Sequence, residues 1–501
     1  MDVMDANAPQ GRSREAVVSR NAQGQGPLRV LHVNSTDVGG GAERVALDLV
    51  KDLRNAGHSA GLAVGREGRT ATPRSASDAI DLIELTDPVD GTYQSVLRKL
   101  DHRLAPLAGR FPGPGRARVW VRRLARRRRL ADWWKGRECF DWPGSHRLLY
   151  DTEENYDILH IHNVHGDYFD LTILPDLSRR IPVVITLHDE WLMTGHCSNS
   201  KTCERLFHGC GQCPDLETYP AVRRDATADN WLRKQQIYSQ CNVAVVSPSH
   251  WLLERAKASI LAAAVHRWAT IPNSVDVGRF RPGDPGQARQ RLGLPQDNHI
   301  FLFAASGGTK NPMKDVETVR RAVVEFSRYL PKDTPPPVFL LLGGDGHPKK
   351  ADNIVEWPLR IPSYSDLLPE AFRAADLYLH AAHAENFPIA VLEALASGLP
   401  VVATAVGGIK DQFPALTTLS TGSVAGEDEA TAAGVLVDRA DAIAMARAAI
   451  GLLNSPSLRC HIGKNARCLA EKRYRPEQQR NAYVDLYRNI LADWNEPCLR
   501  E

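Results

Sequence analysis

Two α/β domains, each built on a parallel sheet and facing one another across a cleft, are the architecture this chain of 501 residues predicts. Short apolar, β-branched runs alternate with stretches of helical period from residue 28 to residue 494, as in doubly wound sheets. A Pro/Gly-rich stretch, RFRPGDPGQ (279–287), interrupts the alternation and divides it into two series. The residues with chemistry follow directly on the runs that read as strands, where open α/β sheets bind ligands.

The first series begins with the buried strand 28–34, broken by GGG (39–41). Val45, Leu47, Leu49, Val50 and Leu53 then share one helical face, Gly57 ends that helix, and HSAGLAVG reads as the next strand. Further strands are DILHIHN (157–163), PVVITLHD (182–189), VAVVSPS (243–249) and WATIPNSVD (268–276), with helices over 171–179 and from His250. In the second series the strands are HIFLFAAS (299–306), PVFLLLGG (337–344), LYLHAA (377–382), LPVVATAV (399–406) and GVLV (434–437). Helices over 315–328, 366–374, 388–397 and 439–453 separate them. The expected organisation is a polar, disordered tail (1–27), a first domain (28–272) carrying an insertion at about 93–150, and a second domain (273–475). The aromatic-rich terminal helix in 476–501 is expected to cross back to the first domain.

Composition narrows the class. Charged residues are 24% and the net charge is 62 − 59 = +3, so the overall balance points to no polyanionic partner. No run approaches the ~18–20 apolar residues of a membrane span. The N-terminus, MDVMDANAPQGRSREAVVSRNAQGQGP, lacks the apolar core of a secretory signal. The expected location is the cytoplasm, with reduced thiols and peripheral contact with the inner face of the cell membrane.

Three loops carry the candidate chemistry. In DVGGGAER (37–44), Gly39 and Gly40 sit between a strand and a helix, where backbone N–H groups can approach a phosphate; a plain tight turn is the other reading. This is not GxGxxG, and no acid closes the next strand, which disfavours a dinucleotide-dependent oxidoreductase. In HAENFPIAVLEALASGLPVVATAVGG (383–408), Glu385 stands just before a helix that Pro388 can open and Gly398 ends. The free N–H groups around Asn386, Phe387, Pro388 and Ile389 can hold a diphosphate. Glu393 lies eight residues after Glu385, about 2.2 turns at ~3.6 residues per turn, so both acids can face one side. In GTKNPMKD, Lys314 and Lys310 are either phosphate-neutralising cations or solvated loop charges. His188 ends a strand, either bonded to backbone or facing the cleft.

The Glu385-(seven residues)-Glu393 pair followed by GLPVVATAVGG resembles retaining glycosyltransferase family 4, whose fold is the two-domain GT-B architecture. GGGAERVALDLVKDL, VITLHDEW, VVSPSHWLLE, IPNSVDVGRFRP and GGDG (343–346) resemble further parts of that family, over about residues 28–494. The resemblance implies hexose transfer from a nucleotide-diphosphate sugar, UDP- or GDP-linked, to a glycan acceptor, lipid-linked and in surface polysaccharide biosynthesis. It places Glu385 on the donor sugar, Glu393 on the ribose, Gly39, Gly40 and Gly344 near the nucleotide, His188 on sugar or acceptor, and Lys314 on the diphosphate. Where the family has an Arg five residues before that Lys, this chain has Thr309, and Lys310 is the substitute choice. There is no Asp-x-Asp in the sequence, which fits leaving-group stabilisation by Lys and helix N–H groups and catalysis without a metal cofactor.

Cys197, Cys203, Cys210 and Cys213 lie within one short segment, HCSNSKTCERLFHGCGQCP. A structural zinc site is one reading, with His196 or His208 as substitute ligands; local disulfides and free thiols are the others. The segment resembles a cysteine-bearing subset of family 4 enzymes linked to bacterial polysaccharides. Residues 116–137 hold ten Lys/Arg and one acid with Trp120, Trp133 and Trp134, a composition suited to an anionic membrane surface or to a basic helix packed on the domain. No nucleic-acid-binding module is present, and nucleic acid is not an expected partner. The competing readings are a transferase with a soluble small-molecule acceptor and a zinc-stabilised, non-catalytic membrane- or nucleic-acid-binding protein.

Overall fold

The computed structural model describes residues 26–66, 81–88, 92–104, 107, 113–124, 126–152, 155–305, 311–418, 424–425 and 430–495. The expected disordered tail lies almost wholly outside them. The strands form two sheets, and every helix that shapes the cleft runs from the end of one strand toward the next.

The first sheet has seven strands in the order β3-β2-β1-β4-β5-β6-β7. They are β1 (Arg29–Thr36), β2 (Ser59–Arg66), β3 (Asp81–Glu84), β4 (Ile158–Ile161), β5 (Val183–Thr186), β6 (Val243–Ser247) and β7 (Val265–Thr270). All pairings are parallel. The chain winds outward from β1 in both directions, so the crevice of this sheet opens where β1 meets β4.

The second sheet has nine strands, ordered β10-β11-β9-β8-β12-β13-β16-β14-β15. Its middle is parallel: β8 (Ile300–Ala304), β9 (Val338–Leu342), β12 (Leu377–His380), β13 (Val401–Thr404) and β16 (Gly434–Val437). The edges add β10 (Lys349–Ala351), β11 (Ile354–Leu359), β14 (Ala415–Thr418) and β15 (Val424–Ala425), with antiparallel pairs β10–β11 and β14–β15. These edge strands and β3 are short or polar and carry no legible strand pattern. The crevice here opens between β8 and β12.

Local chemistry sets the helix starts. Ser249, Asp284, Asp315 and Asp441 accept hydrogen bonds from backbone N–H groups of the helices they precede, each contact contributing about 1 kcal/mol. The terminal helix Pro476–Asn495 buries Tyr483, Val484, Leu486, Tyr487 and Ile490 in one cluster with Leu28, Val30, Leu49 and Val184 of the first sheet region. Its tyrosines also bond there: Tyr487 Oη lies 2.6 Å from His160 Nδ1, and Tyr483 Oη 2.9 Å from Thr186 Oγ1.

Three local expectations change. The segment 171–179 begins with a 3-10 turn, Leu171–Ile173, before the helix Leu174–Arg180, because Asp170 caps the tighter turn. The basic stretch 116–137 folds as two helices, Pro114–Leu124 and Arg127–Lys135, the second closed by Gly136 in the left-handed region. Pro388 precedes the helix Ile389–Ala396 as its N-cap rather than its first residue.

Candidate active site between the two sheets

Lys314 and Glu385, singled out in the second series, meet at the carboxyl ends of β8 and β12. The loop after β8 is stitched to the loop after β12 by main-chain bonds: Asp315 N–H donates to Ala381 O (3.0 Å), and His383 N–H to Met313 O (2.8 Å). These bonds bring the Lys314 ammonium against the Glu385 carboxylate. His380, wholly buried at the end of β12, has Nε2 3.5 Å from the same carboxylate oxygen and Nδ1 3.0 Å from the Tyr378 hydroxyl. Burial would raise the Glu385 carboxyl, but Lys314 and His380 outweigh it and hold it down to about 2. Burial and Lys314 together lower His380, so Glu385 is the fixed negative charge of this corner.

Glu393 sits in a helix whose neighbours Val391, Leu392, Ala394 and Leu395 are all buried. It faces the other domain. Arg44 Nη1, from the helix Gly41–Asn55 after β1, lies 2.5 Å from Glu393 Oε1. Burial raises the Glu393 carboxyl, with Arg44 opposing. The two acids therefore differ: Glu385 is held by a lysine of its own domain, Glu393 by an arginine across the cleft.

The glycine loop stands opposite that helix. Gly39 has φ +154°, and Gly40 is the N-cap of the helix that carries Arg44. A Cβ at Gly41 would stand 3.7 Å from Ile389 Cδ1, so the N-termini of the two helices meet across the gap. Asn386 fastens the domains instead of pointing at free space: its Nδ2 donates to Leu187 O and His188 O (3.3 Å each), and its Oδ1 accepts from Ser249 Oγ (2.6 Å). Behind the loop, a Cβ on Gly407 would come within 1.9 Å of Glu385 O, and one on Gly408 within 2.0 Å of Asn386 O. Only glycine permits that approach.

The first-domain wall is a chain of imidazoles. His188 Nε2 lies 3.0 Å from His162 Nδ1, and His162 Nε2 lies 3.0 Å from His32 Nδ1. His160 rests beside them, its two nitrogens occupied by Thr186 Oγ1 (2.7 Å) and Tyr487 Oη (2.6 Å). Burial lowers all four, His188 to about 4 and His32 to about 3. The chain ends on His32 Nε2, which is buried without a partner. A neutral chain has two directions. In one, His32 Nε2 carries an orphaned N–H; in the other it is a bare lone pair, the less costly state. The second direction places the proton of each ring on Nδ1, so His188 offers an Nδ1–H donor away from the chain. His32, His160 and His162 are the one trio among the described residues with ligand atoms close enough to share an ion. Both His160 nitrogens are already spent on hydroxyls, however, so hydrogen bonding accounts for the trio.

The other expected site residues have these surroundings. Asn386 spends its side chain on the interdomain clamp, and Phe387 packs edge-on to Tyr474 in the core; the expectation for residues 386–389 concerns their backbone N–H groups. Gly344 closes the turn after β9, where a Cβ would press on Leu341 and Pro358 at 3.0 Å. Lys310 and Thr309 lie outside the described residues. The structure gives the zinc reading no support: no three of Cys197, Cys203, Cys210, Cys213, His196 and His208 bring their ligand atoms within 4.8 Å of one another, although the four thiols lie near one another, so that burial first and then neighbouring thiols raise Cys197, Cys210 and Cys213. The four are free thiols, with Cys210 accepting from Gly195 N–H (3.3 Å) and Cys213 beside His196 Nε2 (3.4 Å). The residues that motif reading passed over are Arg44, His380, His32, His160 and His162. The signal of the histidines was present as imidazole side chains inside apolar strands or just after them, LHVN, ILHIHN and LYLH, and that of Arg44 as a cation just after the glycine loop in GGGAER.

Comparison with known proteins agrees with this geometry. Residues 39–279 match the family described as Glycosyltransferase Family 4, and residues 287–468 match Glycosyl transferases group 1. The chain belongs to glycosyltransferase family 4. Among curated relatives, the D-inositol 3-phosphate glycosyltransferase of Acidothermus cellulolyticus is 31% identical over 258 residues, 48% of this chain and 52% of that one. The corresponding enzyme of Segniliparus rotundus is 33% identical over 163 residues, 30% of this chain and 34% of its own. The alignments span about half or less of these relatives' length. Among solved structures, Anabaena HepE in complex with UDP and glucose superposes with a TM-score of 0.57 at 15% identity, covering 92% of this chain and 99% of that one. Sucrose-phosphate synthase of Thermosynechococcus elongatus gives 0.56 at 16% identity, covering 93% and 100%. At those identities the likeness is one of fold, and the fold is GT-B. In this family 4 chain, the first matched segment contains Arg44 and His188 and the second contains Lys314 and Glu385.

Proposed function

We propose that the protein transfers a hexose from a uridine or guanosine diphosphate sugar to an acceptor hydroxyl with retention of configuration. The observation that carries this reading is the Lys314–Glu385 pair placed before the N-terminus of the helix Ile389–Ala396 and opposite the glycine loop 39–41. The first-turn N–H groups of a helix lack intrahelical partners and favour an anion. A diphosphate there takes Lys314 from Glu385, and Glu385 turns its oxygens to the sugar hydroxyls. Glu393 exchanges Arg44 for the ribose hydroxyls, and His188 Nδ1–H donates to the sugar or the acceptor. The bond from the anomeric carbon to the phosphate oxygen breaks, the acceptor oxygen attacks on the same face, and the departing phosphate takes the acceptor's proton. Lys314 and the helix N–H groups offset the charge that develops on the leaving group, so the chemistry proceeds without a metal cofactor.

The relatives above 30% identity are named for a small phosphorylated acceptor, which supports a soluble acceptor. A second reading, a lipid-linked glycan in surface polysaccharide assembly, draws on the basic insertion, where Trp120 and Trp134 are 43% and 49% exposed. No helix of the described residues is long and apolar enough to cross a membrane, so contact with a bilayer would be peripheral. The test is release of nucleoside diphosphate from a panel of nucleotide sugars, with and without chelator, against Glu385→Ala. Chelator-resistant release from one donor, lost in the variant, is the expected result. Full activity in the variant, or release that chelation abolishes, overturns the mechanism.

A further inference from the structure

Beside the cleft, the first domain holds a pocket of about 280 Å³ that none of the residues above occupies. Its walls come from the basic insertion, the loop after β4 and the segment that follows the cysteine loop. Four arginines line it, Arg123, Arg129, Arg137 and Arg223, against two acids, Glu138 and Asp167. Most of this charge is already used. Arg129 bonds Asp87 and Asp141 O, Arg137 bonds Asp229 (2.7 Å), and Glu138 pairs with the buried Lys234 (2.8 Å). Arg123 and Arg223 are different. Neither has a hydrogen bond or ion pair from its guanidinium among the described residues. Both lie over the same indole, Trp133, at 5.4 Å and 4.6 Å from the ring centroid. An aromatic ring orients a guanidinium without neutralising it. Asp167, in the same wall, acts on Arg123 through space, but neither guanidinium has a bonded counter-ion among the described residues, and two oriented guanidiniums in an aromatic-walled pocket suit an oxyanion with several acceptor oxygens.

The wall of the pocket also touches the loop that bears His188. His165, in its wall, has Nε2 2.7 Å from Asp189 Oδ2, and Asp189 adjoins His188 in the chain. Burial would lower His165, but Asp189 outweighs it and raises the imidazole. Asn386, next to Glu385, donates to the carbonyl of His188. The His165–Asp189 pair thus stands between a ligand held by Arg123 and Arg223 and the neighbouring His188.

We infer that this pocket is the acceptor site, and that Arg123 and Arg223 bind a phosphate or diphosphate ester borne by the acceptor. The inference rests on the glycosyl-transfer reading. Hydrogen bonds to charged groups contribute about 1.5–3 kcal/mol, so each arginine accounts for roughly tenfold or more in affinity.

The experiment uses the full chain and two ligands. UDP and GDP binding by calorimetry reports the donor corner. Quenching of tryptophan fluorescence by glucose 6-phosphate, or by phosphatidylcholine vesicles doped with a polyprenyl diphosphate, reports the pocket beside Trp133. Expected is saturable quenching by one of the two probes. The variant R123Q/R223Q should weaken it at least about tenfold while its nucleotide affinity matches the unaltered chain. Binding of the soluble ester identifies a free phosphorylated acceptor; binding of the doped vesicles, with plain vesicles inert, identifies a lipid-linked one. Quenching unchanged in the double variant, or absent with both probes while nucleotide binds, overturns the pocket's role. Absence of nucleotide binding in the unaltered chain would instead overturn the transferase reading on which it rests. R123K/R223K, which keeps the charge, should retain part of the affinity.

Discussion

The two walls of the cleft solve the problem of buried polarity in opposite ways. The second-domain wall holds a charge: Glu385, driven down to about 2, is compensated by Lys314 in a neighbouring loop of its own sheet. The first-domain wall holds none in its imidazole chain: burial lowers His32, His160, His162 and His188; His32, His162 and His188 bond in series, and His160 bonds the hydroxyls of Thr186 and Tyr487. An ion pair of that kind can open to exchange partners with a diphosphate and a sugar. A neutral chain cannot exchange charge; it can set where a proton sits. The difference assigns electrostatic work to the second domain and orientation to the first.

Removing the charge should have the largest effect. Lys314→Ala is expected to lower transfer about 10²–10³-fold, the usual size for deleting a preorganised group that meets developing charge. Nucleoside diphosphate release measures it, and a loss under tenfold would mean the two walls share the electrostatic work. Gly408→Ala should come next. Its Cβ would meet Asn386 O at 2.0 Å, so the Glu385 loop must shift, at a cost of about 1–3 kcal/mol in stability together with weaker nucleotide binding. Chemical denaturation and calorimetry read the two losses together.

On the first-domain wall the effect should be smaller and of a different kind. His162→Phe cuts the chain between His32 and His188 and frees the His188 proton to sit on either nitrogen. Turnover is expected to fall about tenfold, as for other outer-shell partners, with nucleotide affinity unchanged. A drop in nucleotide affinity instead would show that the wall supports the fold of the donor corner.

Acid should separate the walls. His188 falls from 6.5 to about 4 on folding and His32 to about 3. The unfolded chain therefore binds protons before the folded one, and stability declines as pH falls from 6.5 toward 4. Glu385 falls from 4.5 to about 2, so its contribution is full above 4.5 and lost toward 2. Urea midpoints across that range should drop in two stages, and His32→Leu should blunt the first while Glu385→Gln blunts the second. The smallest effect concerns the thiols. No three of them lie within reach of one ion, so chelation should leave the thermal midpoint in place, and Cys210→Ser, which keeps an acceptor for Gly195 N–H, should cost about 1 kcal/mol.

Legibility in the sequence followed contact range. HAENFPIAVLEALASG reads correctly as strand end, loop and helix because its strand, cap and helix are neighbours in the chain. Lys314 and Glu385 are 71 residues apart, yet both sit at strand ends of one sheet, and a motif could pair them. The Arg44–Glu393 pair spans 349 residues and the His160–Tyr487 bond 327, and nothing in either local stretch announces the other. The cysteines show the converse case. Spacing alone gathers four thiols into one loop, but the distances between their sulfurs depend on how the loop packs between Glu190, Thr227 and the pair Glu138–Lys234.

What the sequence by itself determined is the alternation of strand and helix, the two sheets, and the strand-end loops that bear Gly39, His188, Lys314 and Glu385. Those follow from hydrophobic period and from glycine and proline at turns, which act over a few residues. Only the tertiary structure decided which partner each buried polar group takes. Arg44 reaches Glu393, His32 starts a chain to His188, and Arg123 and Arg223 come to one indole. A buried polar group must find a partner or lose its solvation without return, and that partner is chosen by the packing of distant segments.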